Sequence, residues 1–365
     1  MKEIREIIRR YENTDFKRES IALATVVKVE ESSYRRIGAR MLVSSNGQWI
    51  GGISGGCLEG DALRRSQQAI YSKVPSTVVY DTMDDDENEI GIGLGCNGRI
   101  EVLLIPVDPD DNNNPIEQLK QIVKLNEPVV LVTTFNSPHQ DKLGSSFIAM
   151  QNKALHSFNG ISKEDLQQHI DTTSSKRRSC TFDMKDKDGA KHQLLFEFIR
   201  PEMKLVIIGD NYDVNALAGI VKELGWEIYI VGRKKKIHKN TYALAKEVYE
   251  YEDYEQVTID EYTSVLMMTH DYNWDKIILG RVLAQKPSYV GMLGPKKRMQ
   301  KMEMEEGLET LSEVSFFYSP IGLDIGAETP EEIAISIIAE ILAVYRNRDG
   351  NQLRHREGTI HERYL

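Results

Sequence analysis

The sequence predicts an α/β protein, with an N-terminal mixed α/β domain and a C-terminal domain that holds a Rossmann-like parallel sheet. Three observations support this prediction. The chain has 365 residues, which is too long for one ordinary hydrophobic core and favours two or three domains. Before Pro201, strand-like segments are joined mostly by turns and glycine loops. After Pro201, strand-like segments alternate with helical ones, as is typical of right-handed βαβ crossovers.

The composition excludes several classes of protein. A net charge of −10 argues against general binding to nucleic acid. No run approaches the roughly 18 apolar residues of a membrane span, and the charged N-terminus lacks the apolar segment of a signal peptide. Three cysteines are too few for a disulfide scaffold, and no CxxC or HExxH pattern marks a metal site. We therefore expect a cytoplasmic protein that binds neither nucleic acid nor membranes.

The first domain is expected to span residues 1–200, and a subdivision near the polar cluster 108–115 is left open. Apolar periodicity and turn residues define its elements. They are an amphipathic N-terminal helix with Ile4, Ile7, Ile8 and Tyr11 on one face, a strand at 21–30, a hairpin at 39–53 that turns at Asn46-Gly47, a helix from Leu58 to about Ser72, and strands at 76–83, 99–107 and 127–135.

The second domain is expected to span residues 201–348, and residues 349–365 form a C-terminal extension. The final helix has a clear start, because Thr329 can cap it, Pro330 fits its first turn and Glu332 completes a capping box. Four strands are predicted in chain order, at 204–210, 227–232, 264–270 and 288–294, with helical segments between them.

Two cysteines lie in glycine loops of the first domain, which is an unusual place for a thiol. The segment GGISGGCLEGD, residues 51–61, places Cys57 at the start of a predicted helix, where backbone N–H groups stabilise a thiolate. Cys96 lies in a second glycine loop, GLGCNGR. Because glycine lets the backbone approach a ligand closely, we interpret the two loops as parts of one pocket. The alternative is that Cys57 is only a small residue in a tight turn.

Charged residues supply further candidates for binding. Arg35, Arg36 and Arg40 precede the first cysteine loop and predict a phosphate clamp, although a solvated basic surface is the alternative. In the second domain, His270 and the turn 294–298 follow the third and fourth predicted strands, at the edge where α/β folds bind ligands. His270 alternatively caps the next helix. Asp324 precedes the last helix and either has a structural role or faces the pocket.

Several segments together resemble, in order, those of the XdhC/CoxI family, which are maturation factors for xanthine dehydrogenase and related molybdenum hydroxylases. The resemblance covers about residues 20–110 and 200–348, whereas 112–200 carries little of it. An ordered run of motifs is far more specific than any single glycine pattern. The segments are GARMLV, SGGCLEG, GLGCNGRIEVLL, MTHDY, YVGMLG and PIGLDIGAETPEEIA.

The resemblance implies a chaperone that binds molybdenum cofactor, a pterin dithiolene with a phosphate, protects it during sulfuration and delivers it to an apo-hydroxylase. The implied partners are that apo-hydroxylase and a cysteine desulfurase, and a homodimer is left open. A carrier of this kind needs no catalytic residue, and Cys57 is the candidate molybdenum contact. The implied site comprises Gly55, Gly56, Cys57, Glu59, Gly95 and Cys96, the three arginines Arg35, Arg36 and Arg40, and His270, Asp271, Gly294 and Asp324.

Two segments depart from the family pattern. Relatives usually have G-A-G-H after the first strand of the second domain, where this chain has GDNYD, and Asn211 replaces the glycine that would approach a pyrophosphate. The second strand often ends with an acid in relatives, but here it continues into GRKKK. NAD is therefore not expected, and Arg233 and Lys234 leave NADP as the only plausible dinucleotide. The alternative is that the altered loop binds no dinucleotide and merely closes the sheet.

Two other functions stay open. One is an NAD(P)-linked oxidoreductase, or a xanthine dehydrogenase accessory subunit, that uses the second domain. The other is a sulfur-relay partner that acts only by docking. Metal and pterin analysis of the purified protein would distinguish a cofactor carrier from an oxidoreductase.

Overall fold

The computed structural model describes residues 1–31, 34–81, 98–150, 155–306 and 311–357. The chain divides into two compact units, Met1–Pro201 and Glu202–Leu365. The predicted fold class is confirmed, since the first unit is mixed α/β and the second is built on a parallel sheet of six strands. None of the helices in the described ranges combines the length and the apolar character of a transmembrane segment.

The first unit contains two antiparallel sheets. Its elements are α1 (Lys2–Glu12), β1 (Ile21–Glu31), β2 (Arg40–Ser44), β3 (Trp49–Gly51), α2 (Glu59–Ser72), β4 (Ser76–Asp81), β5 (Gly98–Pro106), α3 (Pro115–Val123), β6 (Val129–Asn136), β7 (Ser146–Ala149), α4 (Lys163–Lys176), β8 (Cys180–Lys185) and β9 (Lys191–Ile199). The strand orders are β3-β2-β1-β5-β4 and β7-β6-β9-β8. The predicted helices and strands of this region are confirmed within the described residues, and residues 82–83 of the strand predicted at 76–83 lie outside them.

The polar cluster 108–115 leads directly into α3. The Asn114 side chain caps that helix by accepting hydrogen bonds from the backbone N–H groups of Ile116 and Glu117. Apolar residues of α1, α3 and both sheets pack into a common core. The two sheets therefore share buried surface within one compact unit.

The second unit has the strand order β12-β11-β10-β13-β14-β15, with every neighbouring pair parallel. This is the order of a dinucleotide-binding fold, and its topological switch point lies between β10 and β13. Its elements are β10 (Lys204–Ile208), α5 (Asp213–Leu224), β11 (Glu227–Val231), α6 (Lys239–Leu244), β12 (Glu247–Tyr249), β13 (Thr263–Met267), α7 (Tyr272–Ala284), β14 (Tyr289–Met292), α8 (Lys296–Glu306), β15 (Phe317–Tyr318) and α9 (Pro330–Tyr345).

Two short strands correct the strand count that the sequence predicted for this unit. β12 has three residues and β15 has two, which is too short to show a period of two. His270 and the turn 294–298 therefore follow the fourth and fifth strands in chain order, not the third and fourth. The capping box of α9 is confirmed, because Thr329 and Glu332 exchange hydrogen bonds between side chain and backbone.

Candidate functional site

Cys57 is an exposed free thiol in a loop that a single carboxylate orders. Glu59, the first residue of α2, accepts hydrogen bonds from the backbone N–H groups of Ile53 at 3.1 Å, Ser54 at 2.8 Å and Gly56 at 3.0 Å. The Ser54 hydroxyl also donates to this carboxylate. The glycine loop is therefore held in one conformation, although glycine itself permits many.

The structure gives Glu59 a different role from the expected cofactor contact. Both of its carboxylate oxygens are engaged by the loop, and the residue is only 7% exposed. Burial acts to raise the pKa of Glu59, but hydrogen bonds from Ser54 outweigh it, so that the pKa is lowered and the carboxylate stays ionised. Within the described ranges, the backbone N–H groups of Gly55 and Cys57 keep no partner and remain available to a ligand.

Tyr34 lies against this loop, although no sequence pattern pointed to it. A Cβ atom placed on Gly55 would be 3.2 Å from the Tyr34 ring, so the ring packs on bare glycine backbone. The Tyr34 residue is nevertheless 73% exposed. An exposed aromatic ring therefore lies against the glycine loop that carries Cys57. A tyrosine among polar residues gave no periodic signal, and only the absence of a side chain at Gly55 hints at the contact.

The three arginines of the expected phosphate clamp have different environments. Arg40 is buried and donates to Glu197 of β9, with an Nη1–Oε1 distance of 2.9 Å, which corrects its assignment as a ligand contact. Arg35 forms an ion pair with Glu3 of α1. Arg36 is exposed and has no acidic partner among the described residues. Of the three guanidinium groups, that of Arg36 is the one still available to an anion.

A second positive charge acts on Arg36. Desolvation and the charge of Arg178 both lower the pKa of Arg36, although its side chain as a whole is exposed. Arg178 follows the end of α4, so the two arginines come from distant parts of the sequence. An anion bound here would relieve the repulsion between them.

The remaining cysteines differ in what the structure shows of them. Cys96 and its neighbour Gly95 lie outside the described residues. Cys180 is a half-buried free thiol on β8, 3.6 Å from the carbonyl oxygen of Arg178. Among the residues that the structure describes, no group of three or more histidine, cysteine or acidic side chains could hold a metal ion.

In the second unit, the expected contacts lie at the carboxyl edge of the parallel sheet. His270 has a φ of +55° and an exposed side chain, with Nε2 3.6 Å from a carboxylate oxygen of Asp213. Asp271, not His270, caps α7, since its carboxylate accepts from the N–H of Asn273 at 3.0 Å. Gly294 has a φ of +132°, which favours glycine, and Asp324 is exposed. Of these four expected contacts, Asp271 therefore has a structural role as a helix cap.

The loop after β10 lies at the switch point, where dinucleotide-binding proteins bind a pyrophosphate. A Cβ atom on Gly209 would be 2.4 Å from the carbonyl oxygen of Met268, so the ends of β10 and β13 are in close contact. The side chain of Asn211 spans the switch point and donates from Nδ2 to the same oxygen at 2.7 Å. Asp210 accepts two hydrogen bonds from the Arg233 guanidinium, at 2.6 and 3.1 Å. The arginine expected to read a 2′-phosphate is therefore already paired.

A hollow of about 570 Å³ lies on the first unit, away from Cys57. It is lined by residues of α1, β1 and the β2–β3 hairpin, including Arg10 and Trp49. The Arg10 guanidinium is held by both oxygens of Glu19 at 2.7 Å, so it is not available to an anion. The hollow therefore lacks the donors of the Cys57 loop.

Two family models match this chain, one in each compact unit. Residues 17–81 match the model of the XdhC and CoxI family, and residues 205–341 match that of the XdhC Rossmann domain. The chain belongs to the XdhC and CoxI family. Its two matched regions contain the Cys57 loop and the carboxyl edge of the parallel sheet, respectively, whereas α3, α4 and β6–β9 lie outside both.

Two known proteins and one solved structure are similar to most of this chain. A protein from Bacillus subtilis strain 168 that is named as a probable subunit of xanthine dehydrogenase is 28% identical over 329 residues, which cover 89% of this chain and 93% of the relative. The molybdenum cofactor insertion chaperone PaoD from Escherichia coli K12 is 22% identical over 330 residues, with 88% and 82% coverage. A solved structure described as a xanthine dehydrogenase from Bacillus halodurans has a TM-score of 0.74 at 27% identity, with 96% and 97% coverage.

Proposed function

We propose that this protein is a chaperone that binds molybdenum cofactor and serves the maturation of a xanthine dehydrogenase-type hydroxylase. The observation that carries the proposal is the exposed Cys57 thiol, presented by a loop that Glu59 orders from within. A thiolate is a soft metal ligand, and a carrier requires a preorganised but non-catalytic site. The similarity to PaoD over most of the chain supports the same function.

Residues of the Cys57 loop and of the segment before β2 fit the chemical parts of such a cofactor. The unpartnered N–H groups of Gly55 and Cys57 suit anionic acceptor atoms, and the Arg36 guanidinium suits a phosphate. The exposed ring of Tyr34 offers an aromatic face to a planar ring system. When bound, the cofactor would supply the redox-active molybdenum centre that the client hydroxylase uses.

In this proposal the protein protects the cofactor while a cysteine desulfurase supplies its terminal sulfur, and then delivers it to the apo-hydroxylase. The thiol contact from Cys57 would hold the metal end, and exchange of that contact would release it.

A second candidate is a stable accessory subunit of a xanthine dehydrogenase. The names of the Bacillus relatives favour it, since both refer to xanthine dehydrogenase itself. The NAD(P)-linked oxidoreductase is less well supported, because Asn211 closes the switch point and Arg233 is paired with Asp210.

The deciding experiment is purification of the full chain from cells that make molybdenum cofactor, followed by molybdenum and pterin analysis after desalting. Wild-type protein should carry both, and Cys57→Ala should lose most of the molybdenum. Cys180→Ala is the matched control and should retain it, since Cys180 lies half-buried on β8. Wild-type protein without molybdenum or pterin would contradict the chaperone proposal, and stoichiometric co-purification with a hydroxylase would favour the second candidate.

A further inference from the structure

The solvent-facing side of α9 is apolar, which is unusual for a helix at a protein surface. We call this side the α9 face, and it consists of Ile335, Ala339, Leu342 and Ala343. Ile335 is 52% exposed, and the other three residues are half-buried. Surface helices normally direct charged or polar side chains outward, and a helix that is apolar all round is normally covered on every side. The α9 face therefore has the character of a contact surface.

The remainder of α9 is already engaged within the second unit. Ile337 and Ile341 pack into its apolar core. The Ser336 hydroxyl donates to a backbone carbonyl oxygen at 2.6 Å, and Glu340 accepts a hydrogen bond from the hydroxyl of Tyr289. Within α9, which the structure describes completely, the middle of the helix thus has no free polar side chain that could solvate the α9 face.

Opposite charges flank the α9 face at its two ends. Glu331 lies in the first turn of α9, Arg346 is its C-cap residue, and both are exposed. Among the residues that the structure describes, neither side chain has an ion-pair partner. Residues three or four positions apart share one side of a helix, so both charges lie in line with Ile335 and Leu342. The α9 face therefore has an acidic end and a basic end.

The order of these residues is complementary to itself when the helix is reversed. Glu331 and Arg346 are equidistant along the helix from a point beside Ala339. Ile335 and Leu342 are equidistant from the same point. A two-fold axis through this point would place each acid opposite an arginine and each isoleucine opposite a leucine, and the small Ala339 would let the two helices approach closely. Self-complementarity of this kind is what an isologous dimer interface requires.

We infer that the α9 face is the interface of a homodimer, in which two copies of α9 pack antiparallel across a two-fold axis. A second copy of this chain is favoured over a different protein, because the charges and the apolar residues are both matched to the same helix in reverse. A foreign partner would not require that match. The inference does not depend on cofactor binding, and it adds a contact surface in the second unit to the proposed function.

The test measures the mass of the purified full chain by sedimentation equilibrium as its concentration is raised. One helix face is a small interface, so the mass should rise from that of one chain, 41.6 kDa, toward twice that value over the micromolar range. Ile335→Glu places a charge in the apolar contact and should raise the dissociation constant about tenfold or more. Ile277→Glu is the matched control and should leave it unchanged, since Ile277 is 50% exposed on α7, which packs on the opposite face of the sheet.

A charge swap tests the antiparallel arrangement. Glu331→Arg brings like charges together at both ends of the interface and should raise the dissociation constant about three- to tenfold. The double variant Glu331→Arg with Arg346→Glu restores opposite charges and should return the dissociation constant to near the wild-type value. Both of its charges are unfavourable for the helix dipole, so this recovery cannot come from a more stable α9.

A wild-type chain that stays monomeric over the whole range would overturn the inference, as would a dimer that Ile335→Glu leaves intact. A charge swap that fails to restore the dimer would exclude the antiparallel arrangement and with it the inference. A monomeric chain that co-purifies with a hydroxylase, and no longer does so after Ile335→Glu, would assign the α9 face to that partner instead. All of these outcomes are independent of the molybdenum and pterin analysis, so failure of this inference is distinguishable from failure of the proposed function.

Discussion

Arg40 and Glu197 form a buried, two-pronged ion pair that connects the two sheets of the first unit. Their side chains are 5% and 8% exposed, and they are 157 residues apart in the sequence. A Cβ atom on Gly38 would lie 2.4 Å from a Glu197 oxygen, so the loop before β2 needs glycine to admit this carboxylate. Arg40 thus helps to hold the two sheets of the first unit together.

Replacement of Arg40 by Met should therefore lower the stability of the fold. Any loss of cofactor binding should follow from that lower stability. Removing one partner leaves a buried, uncompensated carboxylate, which costs about 3–5 kcal/mol. The unfolding free energy of the first unit can be measured in urea through the fluorescence of Trp49. Arg36→Met is the control and should change this free energy by less than about 0.5 kcal/mol. An Arg40→Met variant that keeps its stability but loses cofactor would restore Arg40 as a ligand contact.

Glu59→Gln should destabilise the Cys57 loop. The amide replaces one acceptor oxygen by a donor that faces the N–H groups of the loop, and the resulting unsatisfied groups cost about 1–3 kcal/mol. Glu164→Gln is the matched control, since Glu164 is an exposed acid in the first turn of α4.

The comparison of wild type with Glu59→Gln also predicts how the unfolding free energy depends on pH. Because the folded-state pKa of Glu59 is lowered, its stabilisation is present above the unfolded value near 4.5 and is lost as the pH falls through the folded value. The free-energy gap between wild type and Glu59→Gln should therefore be constant from about pH 7 to 5 and should shrink at lower pH. A gap that is independent of pH down to acid unfolding would show that the carboxylate charge is not what orders the loop.

Local signals explain which parts of this fold the sequence could predict. The apolar run of β1 and the capping residues Thr329 and Glu332 each determine structure only a few residues away along the chain. Both predictions are confirmed. β12 was missed because three residues cannot show a period.

The candidate site was harder to predict because its geometry depends on distant partners. The Arg40 sequence context resembles that of Arg36, and only the approach of Glu197 from β9 separates a framework residue from a free one. Tyr34 gains its position from the missing side chain of Gly55. Such pairings arise from tertiary packing and leave no local pattern in one sequence.

Gly55→Ala should impair cofactor retention without impairing the fold. The new methyl group would lie 3.2 Å from the Tyr34 ring, and this exposed ring can shift at little cost in stability. Molybdenum retention should fall about as far as in Tyr34→Ala, and the double variant should fall no further, because both changes remove the same contact. Gly60→Ala is the control, since a Cβ there meets nothing within 4 Å. Additive losses in the double variant would separate the two residues functionally.

Asp186 should control the acid stability of the β8–β9 hairpin. Its carboxylate contacts His192 Nε2 at 3.1 Å and Lys142 Nζ at 3.0 Å, and hydrogen bonding to His192 is the largest cause that lowers the pKa of Asp186. This stabilisation is therefore present above the unfolded pKa of about 3.9 and is lost as the pH falls below it. Asp186→Asn should lower the urea midpoint at pH 7 and flatten its acid dependence. Asp188→Asn, in the same turn but exposed, should reproduce the wild-type profile.

Nicotinamide dinucleotides should bind the second unit weakly, with dissociation constants above about 1 mM. Asn211 occupies the switch point, and Arg233 is engaged by Asp210 through both its side chain and its backbone N–H. Asp210→Asn removes the charge that holds Arg233, so NADP affinity should rise by up to about tenfold, as expected for a charge-assisted contact of about 1.5 kcal/mol. NAD lacks the 2′-phosphate and serves as the internal control, since its affinity should not change. Calorimetric titration of both dinucleotides against both proteins checks this prediction. Saturable micromolar binding of NAD to the wild type would contradict it and would favour an oxidoreductase, because the closed switch point would then have opened for a ligand that it should exclude.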